Sequence, residues 1–317
     1  MDSLIFSLNA TIPIFLVIVI GNVLNRIGMI DRHFSNIADK LVFKICLPCM
    51  LFLNLSDTNI RQEFDMDYIG YCFAVTLFSI LSIWFAAKHM IKDKGMVGAF
   101  VQGSYRSSAA ILGLAFIENI YGTSGMAPLM IIGSVPLYNI FAVVVLTLES
   151  GSAENSAMGK QLHTAFIGIL KNPIIIGIFL GLVASFLNLS LPHMLEKTVE
   201  NLGSIASPLA LLSIGASFEG RKAIAKIKPT VIASFLKLVG LAAIFLPFAV
   251  WLGFRDQKLT AIIIMLASPC TPTSYIMAKN MNGDAVLASS IVVTTTLFSS
   301  ITLTGWIFLV RLLELIR

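Results

Sequence analysis

Between Ala127 and Leu148 the chain runs for 22 residues without a charged side chain. A helix crossing a bilayer needs about 20 mostly apolar residues, and runs of this kind recur along the 317-residue sequence. The period-2 alternation of a membrane barrel is absent, so the spanning elements are read as helices. Only 12% of residues are charged and 57% are hydrophobic, whereas a soluble domain carries about 25% charged residues. Too few charges are present to cover a soluble globule. The net charge of +5 is spread too thinly for a nucleic-acid binder, and the composition is too apolar for a disordered chain. Met1-Asp2-Ser3 lacks the positive start of a signal peptide, and the apolar run after it continues too far. The chain is expected to be an all-α integral membrane protein.

Hydropathy and turn residues divide it into ten expected spans, at about 4–27, 36–56, 67–88, 96–119, 125–148, 163–187, 196–217, 228–253, 258–279 and 285–312. Asn119–Gly125 and Asn280–Asp284 read as turns, and Glu149–Ser156 as a central linker. With the N-terminus outside, the inner connections hold Arg26, Arg32, Lys40, Lys88, Lys92, Lys94, Lys160, Arg221, Lys222, Lys226, Lys228 and Lys279. The outer ones hold Arg61, Lys197, Arg255, Lys258, Arg311 and Arg317. This asymmetry predicts a multi-pass protein of the cell membrane with both termini outward.

An offset of 160 residues aligns Pro13 with Pro173, Gly21 with Gly181, His33 with His193 and Pro48 with Pro208, with nine identities over positions 13–56. One more residue of offset aligns Asn119 with Asn280 and Gly122 with Gly283. Chance similarity between apolar helices is the competing explanation. Five spans per repeat is an odd number, so two repeats, 1–154 and 155–317, are expected upside down relative to each other. That is a 5+5 inverted repeat, the architecture of secondary transporters.

Spans four and nine depart from ordinary membrane helices. Span nine carries Ser268-Pro269-Cys270-Thr271-Pro272-Thr273-Ser274. Two prolines three apart remove backbone donors and crowd four hydroxyls together, and unwound backbone at membrane depth survives only where protein or water satisfies it. A proline kink packed against neighbours is the alternative to a binding crossover. Span four carries Arg106-Ser107-Ser108, which the repeat sets opposite Pro269. An arginine inside a span costs about 2.5–3.5 kcal/mol on insertion scales and usually faces a cavity. Arg106 is thus a candidate anion partner, unless it snorkels or meets a structural carboxylate. Lys44, one turn before Pro48, Lys237 in span eight, and Asn139 after Pro136 are further polar candidates. Glu196 and Glu200, one turn apart, read as solvated, with binding of a coupling cation as the alternative, and His33 and His193 read as interfacial. Cys46-Leu47-Pro48-Cys49 has redox spacing, but a disulfide is not expected mid-membrane. A P-loop, a zinc motif and a nucleophile elbow are all missing, so neither an enzyme nor an ATP-driven pump is expected.

Arg106–Ala115 followed by Tyr121-Gly122, and Ala278-Lys279 followed by Gly283–Ser290, resemble the fourth and last two spans of the auxin efflux carrier family over essentially the whole chain. The resemblance implies ten spans, an inverted repeat, and two broken helices crossing near the membrane centre. It also implies export or exchange of small organic anions, mono- or dicarboxylates such as malonate or malate. Ser107, Ser108, Pro269 and Cys270 map onto the crossover, and Thr271, Thr273, Ser274, Asn139, Lys44 and Arg106 complete the expected substrate-binding set. Ser108 stands where asparagine is frequent, Ala115 where proline is, and Ser274 where plant members often have proline. The long cytosolic loop of the plant proteins is missing, which favours a bacterial-type carboxylate carrier over an auxin carrier. A sodium-coupled bile-acid-type symporter and a non-transporting membrane ligand sensor are the alternatives. No cofactor is expected. A coupling ion, H+ or Na+, is left open, as is a homodimer.

Overall fold

A computed structural model describes residues 2–56, 65–109, 117, 120–122, 126–149, 166–187, 189 and 191–316, with side chains at position 8 and from position 12 onward. The motif residues 110–116, most of the turn at 119–125, the linker residues 150–156 and the loop at 57–64 lie outside the described residues.

Every regular element among the described residues is helical. In chain order they are α1 (Asp2–Arg26), α2 (Arg32–Leu41), a π-helical turn (Val42–Cys46), α3 (Leu47–Ser56), α4 (Met66–Met90), α5 (Lys94–Tyr105) and α6 (Ala127–Glu149). Then follow α7 (Pro173–Phe186), α8 (His193–Ser204), α9 (Ala206–Ala216), α10 (Gly220–Ala225) and α11 (Ile227–Phe235). A second π-helical turn (Leu236–Gly240), α12 (Leu241–Trp251), α13 (Asp256–Ala267), α14 (Thr273–Asn280) and α15 (Ala285–Leu312) complete the order. Five stretches, Met66–Met90, Ala127–Glu149, His193–Ala216, Ile227–Trp251 and Ala285–Leu312, are long and apolar enough to cross a membrane.

Local chemistry sets many of the boundaries. Asp31, Asp65, Asp93 and Asp284 each precede a helix and accept a hydrogen bond from a backbone N–H of the first turn, satisfying donors that the helix itself leaves free. Asn172 does the same ahead of Pro173, whose missing N–H falls where none is needed. Inside the helices, Ser79, Ser104, Ser134 and Thr295 donate to carbonyls four residues back, which hides a hydroxyl in apolar surroundings. Large side chains such as Phe78, Phe85, Phe186, Trp251 and Phe308 stand exposed on the flanks, as lipid-facing surface does.

The helices pack as two groups. α1, α2–α3 and α7–α9 form one; α4–α6 and α11–α15 form the other, with α1 also lying along α15. Glycines set the closest approaches in the first group. A Cβ at Gly21 would stand 2.3 Å from the Leu212 carbonyl oxygen, and one at Gly181 would stand 2.7 Å from the Phe52 carbonyl oxygen. Adding 160 to Gly21 and Phe52 gives Gly181 and Leu212, so the two contacts are related by the offset that the sequence shows. Gly215 meets the Ile18 carbonyl oxygen at 1.9 Å by the same measure. Small residues let membrane helices approach backbone to backbone.

Candidate functional site

Helix α5 ends at Tyr105, and Arg106 continues in an extended conformation (φ −71°, ψ 127°), with Ser107 and Ser108 also outside the helix. α13 ends at Ala267, Ser268 is extended (ψ 158°), and the chain resumes helical form at Thr273. The two non-helical stretches meet: the Ser108 N–H donates to the Pro269 carbonyl at 3.0 Å. Pro269 and Pro272 donate no hydrogen bonds, so the carbonyls at the end of α13 must find partners elsewhere.

Side chains from three other elements supply them. Ser107 Oγ donates to the Met265 carbonyl, as does Tyr138 OH at 3.3 Å. Lys237 Nζ donates to the Leu266 carbonyl at 2.6 Å. Gln102 Nε2 reaches from α5 to the Ser274 carbonyl at 2.9 Å, and Thr295 Oγ1 accepts from the Cys270 N–H at 3.1 Å. The C-terminal end of α13 carries partial negative charge, and the Lys237 ammonium sits on it.

Arg106 is buried, with Nη2 donating to Asn139 Oδ1 and Nη1 lying 2.7 Å from Met277 Sδ. Asn139 is oriented by its own amide, which donates to the Val135 carbonyl at 2.9 Å. Tyr105 and Tyr138 stack beside it with ring centroids 5.8 Å apart. Among the described residues, no carboxylate lies within ion-pair distance of Arg106 or Lys237. Two basic side chains are therefore buried at this junction without a carboxylate partner among the described residues.

A cavity of about 40 Å³ opens beside Arg106. Of the residues expected from the sequence, Arg106, Ser107, Ser108, Asn139, Thr271 and Thr273 line it. Pro269 and Cys270 lie in the loop between α13 and α14 and Ser274 in the first turn of α14, none of them on the cavity wall; Cys270 Sγ and Ser274 Oγ contact each other at 2.9 Å. Lys44 is placed apart, exposed on the first π-helical turn, while Lys237, the second residue of the second such turn, is fully buried. Tyr138, Gln102 and Met277 join the site without having been expected there. Gln102 lies one turn before Arg106 in a helix buried along its second half, and a buried amide at that spacing was the available signal.

The chain matches the family described as "Membrane transport protein" over residues 6–307. It is 21% identical to the uncharacterized transporter MJ1031 of Methanocaldococcus jannaschii, over 95% of this chain and 99% of that one. It is 25% identical to a Rhizobium meliloti protein named "Putative malonate transporter", over 95% and 94% of the two chains. It is also 21% identical to the uncharacterized transporter YfdV of Escherichia coli, over 98% and 100%. Matched end to end by relatives named as transporters, and carrying the helix-break motifs that resemble the auxin efflux carriers, the chain belongs to the membrane transport protein family.

Proposed function

We propose that this chain is a secondary carrier of small organic anions, mono- or dicarboxylates, which bind where α5 and α13 end against each other. The observation that carries this reading is the buried guanidinium of Arg106, with buried Lys237 near the same junction and no carboxylate partner for either among the described residues. An insertion cost of about 2.5–3.5 kcal/mol for each charge is a load that a membrane protein keeps where function needs it. Arg106 presents a guanidinium to the cavity, and Ser107, Ser108, Thr271 and Thr273 add hydroxyl and backbone donors around the same space. A carboxylate held there replaces Asn139 as the guanidinium partner and gains a charge-assisted hydrogen bond. Lys237 stays on the α13 carbonyls and contributes its field rather than a contact.

The full architecture in this reading is ten spans in two inverted repeats, 1–154 and 155–317, with α5 and α13–α14 as the interrupted helices. The exchanged glycine contacts at Gly21 and Gly181 support it, as does the Ser108–Pro269 bond, whose two residues differ by the repeat offset of 161. At about 40 Å³ the cavity holds roughly one water, so loading an acid requires the two helix groups to shift against each other. Alternating access by such rocking is the mode of inverted-repeat carriers.

The relative named for malonate makes malonate the first substrate to try. Labelled malonate, malate, lactate and indole-acetate are offered to proteoliposomes with a proton gradient, a sodium gradient, or trapped acid inside. Saturable, protein-dependent movement of at least one acid is expected. Uptake that requires sodium favours the bile-acid-type alternative. No movement of any acid by folded protein refutes the carrier reading.

A further inference from the structure

Helix α14 carries the candidate site at one end and a contact between the two helix groups at the other. Thr273, its first residue, lines the cavity beside Arg106, and the Ser274 carbonyl accepts from Gln102 of α5. Toward its other end, α14 packs against α2, the first π-helical turn and α9, all of the first group. With eight residues it is about 12 Å long, short enough to pass a displacement from one end to the other.

Asp39 of α2 gathers the polar contacts there. Lys279 Nζ meets its Oδ2 at 2.5 Å, and Tyr275 OH donates to the same oxygen at 3.4 Å. Lys279 donates in turn to Tyr275 OH at 3.1 Å, and Asn280 Nδ2 donates to the Asp39 backbone carbonyl at 3.3 Å. Just past the helix, Met281 Sδ accepts at 3.7 Å from Asn172 Nδ2, which stands ahead of α7 in the first group. The ion pairs Lys88–Glu149 and Lys258–Asp65 each stay within the second group, whereas Lys279–Asp39 joins the two groups.

This joint is favourable only while both charges are present. The Asp39 side chain is 2% exposed, so without Lys279 it is a buried, uncompensated carboxylate, which is strongly unfavourable. Lys279 is 24% exposed and can be hydrated where it stands. The joint is also not fully satisfied, because Asp39 Oδ1 is buried with no hydrogen-bond partner among the described residues. A buried oxygen without a donor costs free energy that water returns once the groups part. The attraction of the pair and this unmet oxygen act in opposite directions, which suits a joint that closes and opens rather than one that stays shut.

We infer that the Asp39–Lys279 pair, with Tyr275 and Asn280, is a reversible lock between the two helix groups, closed in this structure and opened when the groups shift to load or release the anion. Because α14 also bears Thr273, a carboxylate arriving beside Arg106 acts on the lock through the same short helix. This inference rests on the carrier reading above.

The test reads the separation of the groups directly. Spin labels are placed at exposed positions, His33→Cys in α2 and Lys92→Cys between α4 and α5, with the native cysteines replaced, and their distances are measured by pulsed electron resonance in lipid nanodiscs. Lys279→Met leaves the buried carboxylate alone and is expected to raise the parted population at least tenfold. Asp39→Asn leaves an ammonium that water can reach and is expected to raise it less. Adding Asp39→Asn to Lys279→Met is expected to reverse most of the Lys279→Met effect, since no charge is then left buried. Unchanged distances in both single variants, or effects that add in the double variant, overturn the lock whether or not any acid is carried. If Lys279→Met does not fold, Asp39→Asn and Asn280→Ala decide, and unchanged distances in both overturn the inference. Uptake of a carried acid by Lys279→Met is expected to fall at least tenfold and to recover in the double variant. Normal uptake by Lys279→Met overturns the lock, whereas absence of uptake by the wild type refutes the carrier reading instead.

Discussion

Replacing Gly215 with alanine tests the packing of α1 on α9. The added Cβ would stand 1.9 Å from the Ile18 carbonyl oxygen and 2.9 Å from the Asn22 backbone nitrogen. Reaching even 3.0 Å, below which such contacts essentially do not occur, requires the two backbones to part by about 1 Å. Neither obstructing atom belongs to a side chain, so a rotamer change cannot relieve the clash. A gap of 0.5–1 Å forfeits a quarter to a half of each dispersion contact along the seam, and the bond from Asn22 Nδ2 to the Gly215 carbonyl, now 3.2 Å, is lost as well. Overpacking costs about 1–3 kcal/mol, and Gly215→Ala is expected at about 3 kcal/mol. Gly181→Ala meets the Phe52 carbonyl at 2.7 Å and is expected nearer 1 kcal/mol. Gly220, at the start of α10, has nothing within 4 Å of its virtual Cβ, so Gly220→Ala is expected to be neutral or stabilising by up to about 1 kcal/mol. Unfolding free energies of the three variants in bicelles, read by steric trapping, supply the comparison. Gly215→Ala as stable as Gly220→Ala would refute the reasoning.

Further outcomes are expected elsewhere in the molecule. Lys237→Met leaves the Leu266 carbonyl without its donor, a cost of about 1–3 kcal/mol, but also removes a buried basic group whose burial costs about as much, so little net change in stability is expected, checked by the same unfolding measurement. At the start of α4, the hydrogen bond from Lys258 holds the Asp65 carboxyl below the usual range. A carboxyl depressed by folding adds stability above its unfolded value and loses it as pH falls through the folded one. Asp65→Asn should therefore flatten part of the acid limb of the stability profile, and an unchanged limb contradicts the pairing. Cys270 lies in the loop between α13 and α14, buried against Ser274. Its alkylation is expected to be slow and to slow further with a bound carboxylate, as mass spectrometry of the digested protein can show.

The helical class was legible from long apolar runs, whereas the capping residues were read only in the structure. Asp93 before Lys94 and Asp284 before Ala285 are cases where one aspartate fixes a boundary. The non-helical stretches after Tyr105 and after Ala267 fall at residues the sequence singles out, Arg106 and the Pro269–Pro272 pair, since both are chemically out of place in a plain span. What escaped depends on tertiary placement. Lys44 and Lys237 look alike in sequence, each lying within an apolar run, and both fall in π-helical turns. The packing of α5, α13 and α15 around the second turn buries Lys237, whereas Lys44 is exposed. Asp39 sits beside Lys40 in a segment that reads as a basic membrane edge, and its partner Lys279 lies 240 positions away. Gly21 and Gly181 were paired by the repeat, yet the carbonyls they meet, at Leu212 and Phe52, could not be named without the fold.

The most direct test of anion binding at the helix break is a titration of wild-type protein and Arg106→Gln with whichever acid is carried, alongside its uncharged diamide or amide. Removing one member of a buried charge pair costs about 2–5 kcal/mol, and 2 kcal/mol is already roughly 30-fold in affinity. The wild type is predicted to bind the acid and not the amide, and Arg106→Gln to bind the acid at least 30-fold more weakly while folding normally. Equal affinity of the two proteins for the acid would contradict the site.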